Sequence, residues 1–226
     1  MRTLSILLAL IVMGTILAGC GSQPPLKSVD YLDDLSLISD DPCAAPCFAE
    51  IIPGKTTFAD AVAKVEANKT RFKDLQKQDN PPQAAWADGS KANGQACCQV
   101  TANANTGLVD AILIRIAPNV TVKQILAKYG DPEYVSVVQQ DYSSDEAVIG
   151  LVYPKTGNVL WVMPGNGSSD LDENDPIVLA LYFDPAAFGD LLDTATLSKW
   201  EGFKTLAAYR AATPIVTPKP TLTATP

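Results

Sequence analysis

The sequence predicts an α+β fold in which helices pack on one face of an antiparallel sheet. Two amphipathic helices recur about 64 residues apart, and short apolar segments broken by turn residues follow each of them. This pattern indicates a tandem repeat of a helix followed by antiparallel strands. We place the first α+β repeat at residues 43–116 and the second, which ends in a C-terminal helix, at residues 117–212.

Each predicted helix begins after a threonine that is placed to cap it. Thr57 precedes apolar residues at positions 58, 61, 62 and 65, and Thr121 precedes the same pattern at positions 122, 125, 126 and 129. This spacing places one apolar stripe along one face of a helix. Three residues after the threonines, Gln124 completes a capping box and Asp60 approximates one.

Short strands are predicted after each helix. Those of the first repeat are Gln99 to Ala104 and Leu108 to Ile116, separated by the hairpin turn Asn105-Thr106-Gly107. Those of the second are Tyr134 to Gln140, Ala147 to Tyr153, Asn158 to Met163 and Ile177 to Phe183. The C-terminal helix is predicted at Ser198 to Arg210, where Trp200, Phe203 and Leu206 share one face.

The N-terminus has the features of an export signal. Arg2 supplies a positive charge, residues 4–17 are almost wholly apolar, and Leu17-Ala18-Gly19-Cys20 follows. The last four residues match the lipobox of bacterial lipoproteins. That resemblance implies that residues 1–19 are a lipoprotein signal peptide and that Cys20 carries diacylglycerol or palmitate. The chain is then expected on the extracytoplasmic side of the cell membrane or outer membrane, with the membrane as its partner.

Both flanks of the repeats are polar. Residues 20–42 contain five aspartates and are interpreted as an acidic, flexible tether between the lipid and the first repeat. Residues 213–226 alternate threonine with proline and are interpreted as a disordered tail.

Charge and composition exclude several functions. The chain has 17 basic and 25 acidic residues, and removing residues 1–19 removes only one basic residue. No nucleic acid is expected as a partner, because a polyanion repels a phosphate backbone. The sequence has no histidine. That excludes histidine-dependent nucleophiles and histidine-ligated zinc hydrolases, and we expect no catalytic residue, metal or cofactor.

Four cysteines besides Cys20 are expected to form disulfides, as is usual outside the cytoplasm. They are Cys43, Cys47, Cys97 and Cys98, and they allow three pairings. Because neighbouring residues of a strand point to opposite faces, we favour a bridge between the first pair and the second. A four-thiolate zinc site is the alternative, although the spacing differs from the usual Cys-x2-Cys.

Other candidate sites remain open. The acidic run at residues 170–175 is interpreted as a solvated loop, with a calcium loop as the alternative. Carboxylate-pair hydrolysis needs two facing acids. The candidates for such a pair are Asp110, Glu133, Asp145 and Glu146. Trp86 and Trp161 are either anchors on an exposed sheet face or core residues, and we favour the core.

The run from Pro118 to Pro132, with Thr121, Ile125-Leu126 and Tyr129-Gly130, is similar to a segment of two related groups. These are the β-lactamase-inhibitor-like repeat proteins and the small lipoproteins of the outer-membrane barrel-assembly machinery. The resemblance implies a protein binder. We therefore expect a non-catalytic interaction or assembly module whose partner is an envelope protein. The alternative is a lipoprotein that binds or hydrolyses a sugar or envelope component.

Overall fold

The computed structural model describes residues 27–91, 95–139, 147–164, 170–187, 189 and 196–212. The helices are α1 Ser36–Ser39, α2 Phe58–Ala67, α3 Val122–Tyr129 and α4 Leu206–Ala211. The strands are β1 Phe72–Asp79, β2 Pro82–Asp88, β3 Ala96–Ala102, β4 Val109–Arg115, β5 Tyr134–Gln139, β6 Ala147–Tyr153, β7 Asn158–Val162, β8 Ile177–Phe183 and β9 Ser198–Lys199. Cys20 and the tail at 213–226 lie outside the described residues.

The nine described strands form one antiparallel sheet in the order β1-β2-β3-β4-β8-β7-β6-β5-β9. Strands β1 to β4 pair in chain order, and so do β5 to β8. The two groups meet where β4 pairs with β8, from Ala111 opposite Phe183 to Arg115 opposite Leu179. The prediction of an α+β fold with an antiparallel sheet is confirmed.

Helices α2, α3 and α4 cover one face of this sheet, here called the inner face. Ala61 and Val65 of α2 belong to the same buried cluster as Ile125 of α3 and Leu206 of α4. Inward residues of the central strands, such as Ile112, complete that cluster. No helix in the described part of the chain is long and apolar enough to cross a membrane.

The predicted helix caps are confirmed. The Thr121 hydroxyl accepts a hydrogen bond from the Gln124 amide, and the Gln124 side chain accepts one from the Thr121 amide. Thr57 Oγ1 accepts from the Asp60 amide at 3.1 Å. Satisfying these amides stabilises each helix start by about 1 kcal/mol.

The sequence predicted all four strands between residues 134 and 183 and missed two strands between residues 72 and 88. The predicted strands in 134–183 correspond to β5 through β8 within a residue or two. Strands β1 and β2 were not predicted. The predicted helix at Ser198 to Arg210 is wrong at its start, because Ser198 lies in β9 and the helix begins only at Leu206, after its cap Thr205. Trp200 instead stacks on the ring of Tyr209.

Strand β1 forms one edge of the sheet and is irregular. Its pairing with β2 shifts register between Lys73 and Gln76, and Asp74 lies in the left-handed region at φ 55°. The exposed Lys77 forms an ion pair with Glu66 of α2, with 2.9 Å between Nζ and Oε1. The edge of the sheet is therefore kinked and charged.

The interpretation of residues 20–42 as a flexible tether is wrong for its second half. Tyr31, Leu32 and Leu37 are at most 2% exposed and belong to the main core. Leu32 pairs with Ile116 in an isolated parallel bridge. The apolar residues between the aspartates bury themselves, so residues 30–41 form part of the domain; we call this segment the strap.

Polar contacts hold the strap on the helix side of the sheet. The buried Asp34 forms an ion pair with Arg71 and accepts a hydrogen bond from the Ser36 amide at 2.6 Å. The Tyr129 hydroxyl donates to the Leu37 carbonyl at 2.9 Å. Burial, and then the nearby Asp40 carboxylate, raise the pKa of Tyr129 to about 12.

The Arg71 side chain extends this contact into the core. Its guanidinium lies 5.3 Å from the ring centroid of Phe72 and 5.8 Å from that of Phe48. Cations over aromatic faces are favourable, more so when partly desolvated. Asp34, Arg71 and the two rings thus connect the strap to β1.

We expect Asp34→Ala to lower the free energy of unfolding by about 1–3 kcal/mol, because it removes a buried carboxylate and leaves the Ser36 amide without its acceptor. Urea denaturation followed by circular dichroism measures the change. The control is Glu50→Ala, which breaks the more exposed Lys64–Glu50 ion pair. We expect the control to cost less than about 0.5 kcal/mol. Equal losses of unfolding free energy in the two variants would contradict a stabilising contact between Asp34 of the strap and the rest of the domain.

Candidate interaction surface

The face of the sheet opposite the helices, the outer face, is apolar at its centre. On β4, Ile112 and Ile114 point inward and are buried, whereas Leu113 between them points outward and is partly exposed. On β8, Leu179 and Leu181 point outward in the same way. An antiparallel sheet with one solvated face normally carries polar residues there. The centre of this face departs from that rule.

The cross-strand register shows which outward side chains are neighbours. Leu113 is paired with Gln99 on one side and with Leu181 on the other, and Leu179 is paired with Trp161. All of them are partly exposed. The outer-face patch consists of Gln99, Ala111, Leu113, Arg115, Trp161, Leu179 and Leu181.

The structure separates the two candidate tryptophans. Trp86 on β2 is fully buried on the inner face and packs edge-on against Phe72, as the core interpretation predicted. Trp161 on β7 is partly exposed on the outer face. The core interpretation holds only in part for Trp161, which packs against a small second core and also contributes an aromatic surface to the patch.

A chain of glutamines borders the patch on the β1–β3 side. Gln99 Nε2 donates to Gln83 Oε1 at 3.2 Å, and Gln83 Nε2 donates to Gln78 Oε1 at 2.8 Å. These amides keep this part of the outer face polar. The patch therefore has a polar margin next to an apolar centre, the arrangement found in protein interfaces.

On the opposite side, the chain covers part of the outer face itself. Leu197, just before β9, is fully buried against Val152, Val159 and Phe183. The partly exposed Trp161 and Leu181 border this small second core. The open area is thus confined to the middle of the sheet.

A cleft of about 630 Å³ adjoins the patch at Ala111 and Leu181. Two carboxylates line it, Asp110 and Asp184. Thr101 Oγ1 donates to Asp110 Oδ1 at 2.5 Å, and the Ala186 amide donates to Asp184 Oδ1 at 3.0 Å. A neighbouring donor thus holds each carboxylate in place.

Of the other candidate acids, Glu133 lies just before β5, where its amide donates to the Val152 carbonyl at 3.0 Å. It does not line the cleft with Asp110. Asp145 and Glu146 lie outside the described residues. The second carboxylate that lines this cleft with Asp110 is Asp184, which was not among the predicted candidates.

Carboxylates of the acidic run at 170–175 accept hydrogen bonds from other residues of the same run. Asp172 Oδ1 accepts hydrogen bonds from the amide and the side chain of Asn174, both at 2.8 Å. Asp175 Oδ2 accepts from the Asp172 amide at 2.7 Å, and Asp175 is buried. These carboxylates satisfy the backbone of their own turn.

The favoured disulfide pairing is wrong. Cys43 pairs with Cys47, with Cα atoms 5.7 Å apart, and Cys97 pairs with its neighbour Cys98. The prediction assumed a regular strand, but β3 has a register shift here: Cys98 pairs with Trp86, and Ala96 with Ala87. Cys97 is the extra residue of this bulge, which breaks the alternation of side chains. Both disulfides are local, so all four thiols of the alternative zinc site are consumed.

Comparisons with known proteins return no relative. No family model matches the chain, and no curated protein and no solved structure is significantly similar to it. The functional argument therefore depends on the residues themselves.

We expect the two local disulfides to appear in a tryptic map made without reduction. Cleavage after Lys27, Lys55, Lys91 and Arg115 releases peptides 28–55 and 92–115, which each hold one cysteine pair. Each peptide should be two hydrogens lighter than its reduced form and should migrate alone. A single species containing both peptides would show the bridge between the pairs and contradict the structure.

Proposed function

We propose that this chain is a lipid-anchored, extracytoplasmic, non-catalytic module that binds another protein of the cell envelope. The observation that carries the proposal is the outer-face patch, whose centre at Leu113, Leu179 and Leu181 is apolar although water can reach it. Contiguous exposed apolar patches in soluble domains commonly mark interaction sites.

The composition of the patch fits a protein partner. Trp161 supplies a large aromatic surface and Arg115 a planar cation, the two residue types most enriched among energetic hot spots. The backbone beneath them is hydrogen-bonded within a central part of the sheet. Binding on a rigid strand face costs less ordering entropy than binding on a loop.

We also infer that the fold arose by duplication of a helix followed by four strands. In each half, two backbone hydrogen bonds connect the residues around the capping threonine to the start of the fourth strand. They are Phe58 N to Gly107 O (2.9 Å) and Val109 N to Thr56 O (2.9 Å) in the first half, and Val122 N to Asp175 O (3.0 Å) and Ile177 N to Val120 O (2.8 Å) in the second.

The central strand pair supports the same inference. If Val109 corresponds to Ile177, then Leu113 corresponds to Leu181, and these two residues lie opposite each other in the sheet. A two-fold rotation about this point then exchanges the pair Ala111–Phe183 with the pair Arg115–Leu179. The patch is centred on this internal axis, which resembles the way a symmetric dimer builds its interface.

The resemblance of residues 118–132 to β-lactamase-inhibitor-like and barrel-assembly lipoproteins also supports a protein-binding role. Both groups share a helical layer on an antiparallel sheet, and both are protein binders. The strap contributes to the proposal as well, because it begins only ten residues after Cys20. A lipid on that cysteine would hold the domain close to its membrane.

A second candidate function is binding of a small polar ligand in the cleft beside the patch. Asp110, Asp184 and Thr101 supply oxygen atoms there, whereas Leu181 and Phe183 supply apolar surface. The volume of about 630 Å³ lies within the usual range of ligand sites. This candidate differs from the first in its test, since it predicts a small-molecule ligand and no protein partner.

We expect Cys20→Ser to move the protein from the membrane pellet to the soluble fraction, because the acyl chains are the proposed anchor. Cell fractionation with immunoblotting measures the distribution, and mass spectrometry of the mature protein measures the acyl mass. The control is Ser22→Ala, which leaves the lipobox intact. A mature wild-type protein that lacks acyl mass on Cys20 would contradict the anchor.

A photo-crosslinking residue at Leu179, in the patch, should capture a protein partner in intact cells. The control carries the same residue at Lys123, whose exposed side chain lies on α3. We expect a crosslinked band only from Leu179. The same bands from both positions, or no band from Leu179, would count against the patch.

A further inference from the structure

Large apolar side chains are exposed at three places in the described chain. Val29 is 69% exposed, Leu35 53% and Phe203 49%. Phe203 packs edge-on against the ring of Trp200, with 5.9 Å between centroids. Leu35 belongs to the strap, and Val29 lies just before it on the side of Cys20.

Chain length limits how far these two residues can lie from the proposed lipid. Nine Cα–Cα steps separate Cys20 from Val29. The connecting chain can therefore span at most about 32 Å. The strap is fixed to the core, so the side of the domain that carries it must stay near the bilayer.

The strap lies on the helix side of the sheet. Leu37 accepts its hydrogen bond from Tyr129 of α3, and Leu32 lies in the same core cluster as Ile112 and Val65. The apolar centre of the outer-face patch, at Leu113, Leu179 and Leu181, is on the opposite side, while its margin reaches the strap where the Arg115 guanidinium lies 5.7 Å from the ring centroid of Tyr31. A membrane next to the strap would therefore leave the patch facing away from the bilayer.

The acids of the strap do not prevent such an approach, because several have partners within the domain. Asp34 pairs with Arg71 and Asp40 with Lys128. Asp33 Oδ1 accepts a hydrogen bond from Asn119 Nδ2 at 2.8 Å. Two of these charges are balanced by cations, and a zwitterionic headgroup layer carries no net charge that would repel the others, so the two exposed apolar side chains become the favourable contact.

We propose that Val29 and Leu35 contact the phospholipid surface, so that the helix layer faces the membrane and the outer-face patch is presented to the envelope. This inference depends on the proposed lipid anchor at Cys20. It adds an orientation, which the anchor alone does not supply.

The test uses the full lipoprotein reconstituted into phosphatidylcholine vesicles with plain or brominated acyl chains. Bromine quenches tryptophan fluorescence only on close approach. Leu35→Trp reports on the strap, and the matched control Leu179→Trp reports on a partly exposed apolar position of the outer-face patch, which the proposed orientation turns away from the bilayer. The unsubstituted protein gives the background of Trp86, Trp161 and Trp200. Flotation of the vesicles measures membrane attachment independently.

We expect all three proteins to float and only Leu35→Trp to lose more emission than the background in brominated vesicles. Flotation with no added quenching of Leu35→Trp would overturn the contact and leave the anchor intact. Equal quenching of Leu35→Trp and Leu179→Trp would overturn the proposed orientation. Failure to float would refute the anchor, and the contact with it.

Discussion

The antiparallel pairing of β4 with β8 is the constraint on which the rest of the structure depends. Without it, each group of four strands would form a small sheet with an unpaired edge. With it, Ile112 lies opposite Tyr182 and Ile114 opposite Ala180, so the inner faces of both groups become one surface. That surface is wide enough for α2, α3 and the strap to bury a single apolar cluster against it. The same pairing places Leu113 against Leu181 on the outer face, so one set of backbone hydrogen bonds determines both the core and the patch.

The sequence predicted those parts of the fold in which local chemistry and burial agree. Threonine caps and apolar stripes marked α2 and α3, and continuous apolar segments marked the strands of the second repeat. Strands β1 and β2 could not be recognised in this way. In β1 only Phe72 is buried, and three of the seven residues of β2 are alanine. These segments are extended because neighbouring strands supply hydrogen-bond partners for their backbone amides and carbonyls. That stabilisation is an effect of tertiary structure.

The candidate site was predictable in part. A strand with one solvated face normally alternates apolar and polar residues, whereas Ala111-Ile112-Leu113-Ile114 is continuously apolar. This departure is the feature of the sequence that indicates an apolar outer face. The disulfides were not predictable, because the bulge at Cys97 depends on how β3 pairs with β2. The burial of the strap was not predicted because the segment is rich in aspartate. Their number suggested a solvated linker, whereas the position of Asp34 beside Arg71 shows that an acid can mark where a segment docks.

The irregular edge at β1 has a consequence for how copies of the chain behave together. A straight, uncharged edge strand offers its free amides and carbonyls to the next molecule and can start a growing fibril. Here the kink at Asp74 and the lysines at positions 73 and 77 interrupt that template. Two copies brought edge to edge would have to bury charged side chains and would meet mismatched backbone groups before any ladder could form. The sheet therefore ends at β1, and growth through this edge is disfavoured.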